Sequence, residues 1–115
     1  MDITPEEAIE VNKKFGGHLR SDSSIRFAAS HATYTKSNYR KAAIWIRAIA
    51  VDHPFSDANK RTALYAIGRH ICIQDEIKMG DAIIAIARQN IASIDKIIEI
   101  LKNSNRRNHN RPKAV

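Results

Sequence analysis

The chain has 115 residues and a mass of 13.0 kDa, the size of one small domain. Its 43% hydrophobic and 27% charged residues are ordinary for a globular chain, and apolar runs such as Ala82–Ala87 fall far short of the roughly 18–20 residues a membrane span needs. The net charge is +7 with a pI near 9.9, but Arg106, Arg107, Arg111 and Lys113 lie in an acid-free stretch at 103–115, and residues 1–102 carry only +3.

Basicity of that kind fits a nucleic-acid binder and fits equally a phosphate-binding enzyme with a loose basic tail. Met1 leads into Asp2, Glu6 and Glu7, which is not the pattern of a secretory leader. The single cysteine, Cys72, allows neither an intrachain disulfide nor a thiolate metal cluster and fits a reducing, cytoplasmic setting. Lying in an apolar stretch, Cys72 is expected to pack in the core.

Thr4-Pro5-Glu6-Glu7 is a capping box with proline at the first helical position, so a first helix is expected from about Pro5 to Phe15, ended by Gly16-Gly17. A shorter second helix is expected over Ser23 to Ser30. His31 to Lys36 has no helical period and contains Thr33, Tyr34 and Thr35, which suits an extended loop. From Ser37, Ala42, Ala43, Ile46, Ile49 and Ala50 recur at helical spacing, and that helix should break near His53-Pro54. A fourth begins near Asp57 or Ala58, with Ala63, Ala66, Ile67 and Ile71 on one face. A fifth follows Gly80-Asp81 to about Gln89, and a sixth runs from about Ile91 to Lys102. The expected fold is all-α, a compact six-helix bundle with antiparallel neighbours. It occupies 1–102 as one domain, and 103–115 is read as a basic disordered tail.

The segment His53-Pro54-Phe55-Ser56-Asp57-Ala58-Asn59-Lys60-Arg61 concentrates chemistry at a loop-to-helix junction. A helix start offers unpaired N–H groups and the positive end of a dipole, a natural anion site. Asp57 is placed to cap the helix and to anchor a turn in which Ala58, Asn59 and Lys60 surround a phosphate. Lys60 and Arg61 add cationic charge, a carboxylate beside phosphate suggests Mg²⁺, and His53 is placed to take a proton from an incoming hydroxyl. Taken singly, His53 is a capping or buried histidine, Asp57 an N-cap, Phe55 core, and Lys60 with Arg61 a solvated face. A plain helix start has no need of all five.

These residues resemble the motif of the Fic/Doc (Fido-domain) family, H-x-F-x-(D/E)-G-N-G-R-x-x-R. His53, Phe55, Asp57, Asn59 and Arg61 match it, whereas Ala58 and Lys60 replace the two glycines and Leu64 the last arginine. In these departures the chain is similar to the Doc branch, the death-on-curing toxins, with the resemblance running from about Gly16 to Leu101. Fido proteins transfer a phosphorus-containing group from a nucleotide to a hydroxyl of a target protein. Most transfer AMP. Doc-like members bind ATP the other way round and transfer its γ-phosphate to a threonine of a translation elongation factor.

The resemblance implies that His53 is the base, Asp57 the Mg²⁺ ligand and Asn59 with the backbone at Ala58 the anion hole. Lys60 and Arg61 would hold the phosphates and Phe55 would fix the loop in the core. It also implies a target-binding flap, assigned to the loop between helices 2 and 3 with Thr33, Tyr34 and Thr35, which would register an extended target segment by main-chain pairing. The inhibitory pattern (S/T)-x-x-x-E-(G/N) does not occur, so restraint would fall to a separate antitoxin protein. The competing readings are an adenylyltransferase on the same site, a metal-dependent hydrolase using His53 and Asp57, and an inactive scaffold. Another is a small nucleic-acid-binding protein using the tail with Arg47, Lys60, Arg61 and Arg69, which leaves His53 and Asp57 idle and shows no helix-turn-helix signature.

Overall fold

The computed structural model describes residues 2–106. Six α-helices succeed one another: α1 (Pro5–Lys14), α2 (Ser23–Thr33), α3 (Asn38–Ile46), α4 (Asn59–Gly68), α5 (Glu76–Arg88) and α6 (Ile94–Ser104). There is no strand among the described residues, only an isolated antiparallel bridge between Leu19 and Phe55. The all-α bundle is as expected from the sequence, and no helix of the described residues is long and apolar enough to cross a membrane.

The helix starts arise from side-chain caps. Thr4 Oγ1 accepts from Glu7 N at 3.1 Å, and Ser37 Oγ accepts from Arg40 N at 3.2 Å, so two otherwise orphaned N–H groups are satisfied. The middle of the bundle is α3, whose residues Ala42, Ala43, Ile44, Trp45 and Ile46 are all buried and which packs on α2, α4 and α6. Trp45 and Phe55 are the largest fully buried side chains. An aromatic of that size hides roughly 200 Å², worth about 5 kcal/mol before entropy. The ion pairs are mostly exposed, a class worth about 0–1 kcal/mol each, so apolar burial around α3 decides the fold.

Several boundaries differ from the sequence reading. α2 continues three residues past Ser30 because Ala32 extends the buried stripe of Ile25 and Ala28, and Thr33 satisfies its hydroxyl on Ala29 O at 2.8 Å. The extended loop of 31–36 therefore shrinks, with Thr33 helical. α5 begins at Glu76, capped by Asp75 Oδ1 on Lys78 N at 3.1 Å, so Gly80 lies inside the helix and does not precede it. α6 starts three residues later than expected, capped by Ser93. Ile71 is buried beyond the end of α4, and Cys72 is exposed instead of packed. The folded body also reaches further than residue 102. α6 runs to Ser104, and Asn105 is buried with its side chain bonded to Gln74 N, Tyr39 Oη and Cys72 O. The rest of the expected tail, 107–115, lies outside the described residues.

Candidate active site

The end of α3 widens into a π-helical turn, Arg47–Val51, closed by a bond from Asp52 N to Arg47 O at 3.1 Å. Such turns insert one residue into a helix and re-aim the chain beyond it. Here the re-aimed residue is His53, whose N–H still bonds Ile49 O at 3.2 Å while its φ of 52° turns the chain out of the helix. Pro54 and Phe55 are buried, and Phe55 plugs the core at 1% exposure.

Asn59 then clamps the loop shut. Its Oδ1 accepts from Phe55 N at 3.1 Å and its Nδ2 donates to Phe55 O at 2.9 Å. Between these anchors Ser56 and Asp57 are exposed, and Ala58 takes a left-handed φ of 60° as the residue before α4. Asp57 was expected to cap the helix; instead its Oδ1 accepts from the adjacent Ala58 N at 2.7 Å. Asn59 was expected in an anion hole, but both ends of its amide are committed to the backbone of Phe55. What it offers the site is its N–H, which with those of Lys60 and Arg61 precedes the first bond into α4, Thr62 N to Ala58 O at 2.9 Å.

This turn borders a cavity of about 540 Å³ lined by Phe15, His53, Ser56, Asp57, Ala58, Asn59, Lys60 and Arg61. The structure thus brings His53, Asp57, Ala58, Asn59, Lys60 and Arg61 together around one concave space. The Arg61 guanidinium lies 5.3 Å from the Phe15 ring centroid, a cation–π contact that orients it. Beyond Phe15 and Arg61 a second cavity of about 340 Å³ opens, lined also by Leu64, Tyr65, Gly68, Arg69, Ile73 and Glu76. There Glu7 ties α1 to α4, accepting from Tyr65 Oη at 2.6 Å and pairing with Arg69 Nε at 3.3 Å. The hydrogen bond to Glu7 holds the Tyr65 phenol above its ordinary pKa. On the other side of His53 lies a third cavity of about 480 Å³, with Ser21, Ser24, Phe27, Arg47 and Asp52 among its lining.

Thr33, Tyr34 and Thr35 are not brought to this site. Thr33 and Thr35 bond their hydroxyls to α2 carbonyls, Tyr34 is 87% exposed, and none of the three lines a cavity that holds His53. The segment that lies against the motif is instead 18–21, after the first helix. Arg20 N and Ser21 N both donate to Pro54 O, Ser56 N donates to His18 O, and Leu19 bridges Phe55. Sequence reasoning missed this segment because Gly16-Gly17 reads only as a helix stop. It also missed Asn12, although a polar residue four places after buried Ala8 on the inward face of α1 was a visible signal.

A Mg²⁺ ion would find a single carboxylate here. Asp57 Oδ1 is taken by Ala58 N, which leaves Oδ2, and the described residues contain no cluster of three or more His, Cys, Asp or Glu that could hold a metal. One carboxylate plus substrate phosphates and water is an ordinary Mg²⁺ set, so the residues fit an ion that arrives with a polyphosphate.

Searches of curated proteins and of solved structures returned no match. The sequence does match the Fic/DOC family over residues 3–70, starting earlier than the Gly16 inferred from the motif and ending well before Leu101. That span takes in more than half of the chain, from α1 through the motif to the end of α4, and so the chain belongs to the Fic/DOC family, whose members are typically nucleotide-transferring enzymes that modify proteins.

Proposed function

We propose that this protein transfers the γ-phosphate of ATP to a serine or threonine hydroxyl of a protein target, by family resemblance a translation elongation factor, and that it acts as a toxin restrained by an antitoxin. The observation that carries the phosphate reading is the surface beyond Arg61. Where the family pattern has a second arginine this chain has Leu64, and Leu64 borders a cavity shared with Phe15, Gly68 and Ile73. The two arginines on this cavity are otherwise engaged, Arg61 over the Phe15 ring and Arg69 with Glu7, so its apolar wall suits the nucleoside end of ATP and the reactive γ-phosphate would sit in the cradle beside His53.

In this reading the N–H groups opening α4, with Lys60 and Arg61, bind and orient the phosphates. His53 takes the proton of the target hydroxyl as its oxygen bonds to the γ-phosphorus; the bond to the bridging β-oxygen breaks and ADP leaves. Mg²⁺ held by Asp57 Oδ2 would neutralise charge on the phosphates. The target segment would approach over residues 18–21, which lie against the motif loop, in place of Thr33, Tyr34 and Thr35.

Incubation with cell lysate and ATP labelled at either the α- or the γ-phosphate tests this. Label should pass to a protein from the γ-position alone, with the mass gain of one phosphate. Transfer from the α-position, with the mass gain of AMP, would overturn the kinase reading and leave an adenylyltransferase.

A further inference from the structure

Asn12 belongs to α1, which carries none of the motif, yet its side chain is fully buried against it. Nδ2 donates to Asp57 O at 2.8 Å and to Thr62 Oγ1 at 3.1 Å. A carbonyl oxygen can only accept, so the nitrogen end must face Asp57. Oδ1 is left buried without a hydrogen-bond partner among the described residues. A half-satisfied buried amide is costly and calls for a reason beyond packing.

The reason lies in the peptide unit that joins Asp57 to Ala58. Its carbonyl end accepts from Asn12, and its N–H end donates to Asp57 Oδ1 at 2.7 Å. The plane leading into the left-handed Ala58 is therefore held from both sides. Alanine at a φ of 60° favours relaxing to negative φ, and that relaxation requires this plane to rotate, which would re-aim the N–H groups opening α4. The bond to Oδ1 is exposed and competes with water or a cation, whereas the Asn12 bond is part-buried and comes from a fully buried side chain on the core side. Gly17 makes room for it: a Cβ there would stand 2.3 Å from Asn12 Oδ1 and 2.5 Å from Asp57 O, so only glycine lets the chain pass.

We infer that Asn12 is a positioning residue, which with Gly17 locks the Asp57–Ala58 peptide so that the start of α4 faces a phosphate. The purpose of the lock rests on the phosphate-binding reading, but the lock itself is measurable without any ligand. The experiment uses the full chain with Asn12→Ala, Gly17→Ala and, as control, Thr62→Val, which removes the hydroxyl partner of Asn12 but spares its bond to Asp57.

Amide exchange tracked by NMR should show the Ala58 and Thr62 protons losing protection about tenfold relative to those of α6 in the first two variants only. Affinity for magnesium tripolyphosphate should fall about tenfold in the same two and stay unchanged in Thr62→Val, a split that a merely structural weakening would not produce. Equal loss of protection across all helices, or Thr62→Val matching Asn12→Ala in both measurements, would overturn the inference. If the wild-type chain binds no tripolyphosphate, the phosphate reading falls, while the exchange data still decide whether Asn12 holds the turn.

Discussion

His53 and Ala58 bracket the motif loop with left-handed backbone, at φ values of 52° and 60°. Neither is glycine, and each such residue costs about 1–2 kcal/mol that the surrounding contacts must offset. At position 58 the family pattern has glycine, so Ala58→Gly should raise stability by about 1 kcal/mol in chemical denaturation. A loss of stability would show that the methyl group makes a contact that outweighs the strain. His53 is exposed and its ring has no hydrogen bond among the described residues, so replacing it does not open the core. His53→Asn, which keeps a residue tolerant of positive φ, should leave the melting temperature nearly unchanged. Removing a general base typically lowers the rate ~10²- to 10⁴-fold. Full transfer activity in that variant would remove His53 from the mechanism.

Helix by helix, what was legible was what local chemistry controls. The Thr4 and Ser37 caps and the apolar stripe of α3 are local signals, and the structure uses all three. The starts of α5 and α6 were misplaced because Gly80 looked like a boundary, while the caps at Asp75 and Ser93 sit beside residues with no strong breaker. The π turn at Arg47–Val51 has no local signature, because a widened turn is stabilised by what packs around it. The end of α6 was also hidden, since Asn103-Ser104-Asn105 reads as polar tail. Asn105 makes three hydrogen bonds across to Tyr39 and the 72–74 turn, and leaving such buried partners unpaired costs about 1–3 kcal/mol. Asn105→Ala should therefore lower stability by that amount, and truncation after Lys102 by more. Identical melting of the full chain and the 1–102 chain would show that the last turn of α6 contributes nothing.

At the scale of the whole molecule, several of the described cations are tied to local partners. Arg69 is paired with Glu7, Arg26 with Asp22 and Glu6, and Arg40 with Asp95, while Arg47 reaches Ala92 O at 3.5 Å. Lys60 and Arg61 line the motif cavity. The stability of the bundle should depend on pH through His70. Its Nε2 is buried without a hydrogen-bond partner, and burial pushes its pKa below the ordinary 6.5, against the opposing pull of Asp2. Below about pH 6.5 the unfolded chain takes up a proton that the folded chain resists, so stability falls as pH drops through that range. Asp2, held low chiefly by its hydrogen bond with Lys41, loses its contribution only at more acidic pH, which separates the two. Thermal melts should show a drop between about pH 7.5 and 5.5 that shrinks in His70→Gln. An equal drop in both proteins would assign the effect to other groups.

The sequence by itself determined the helical class, most helix starts and the concentration of polar and charged groups in the nine residues from His53 to Arg61, because capping, periodicity and motif spacing are local properties. Only the tertiary structure decided which distant residues serve that motif. Asn12, Phe15 and the 18–21 segment meet it through contacts such as Asn12 to Asp57, 45 positions apart, and His18 to Ser56, 38 apart. It also placed 18–21, not Thr33–Thr35, against the loop, and committed the Asn59 side chain to the backbone of Phe55, leaving its N–H for the cradle. Such pairings depend on how α1 packs on α4, and no window of sequence contains both partners.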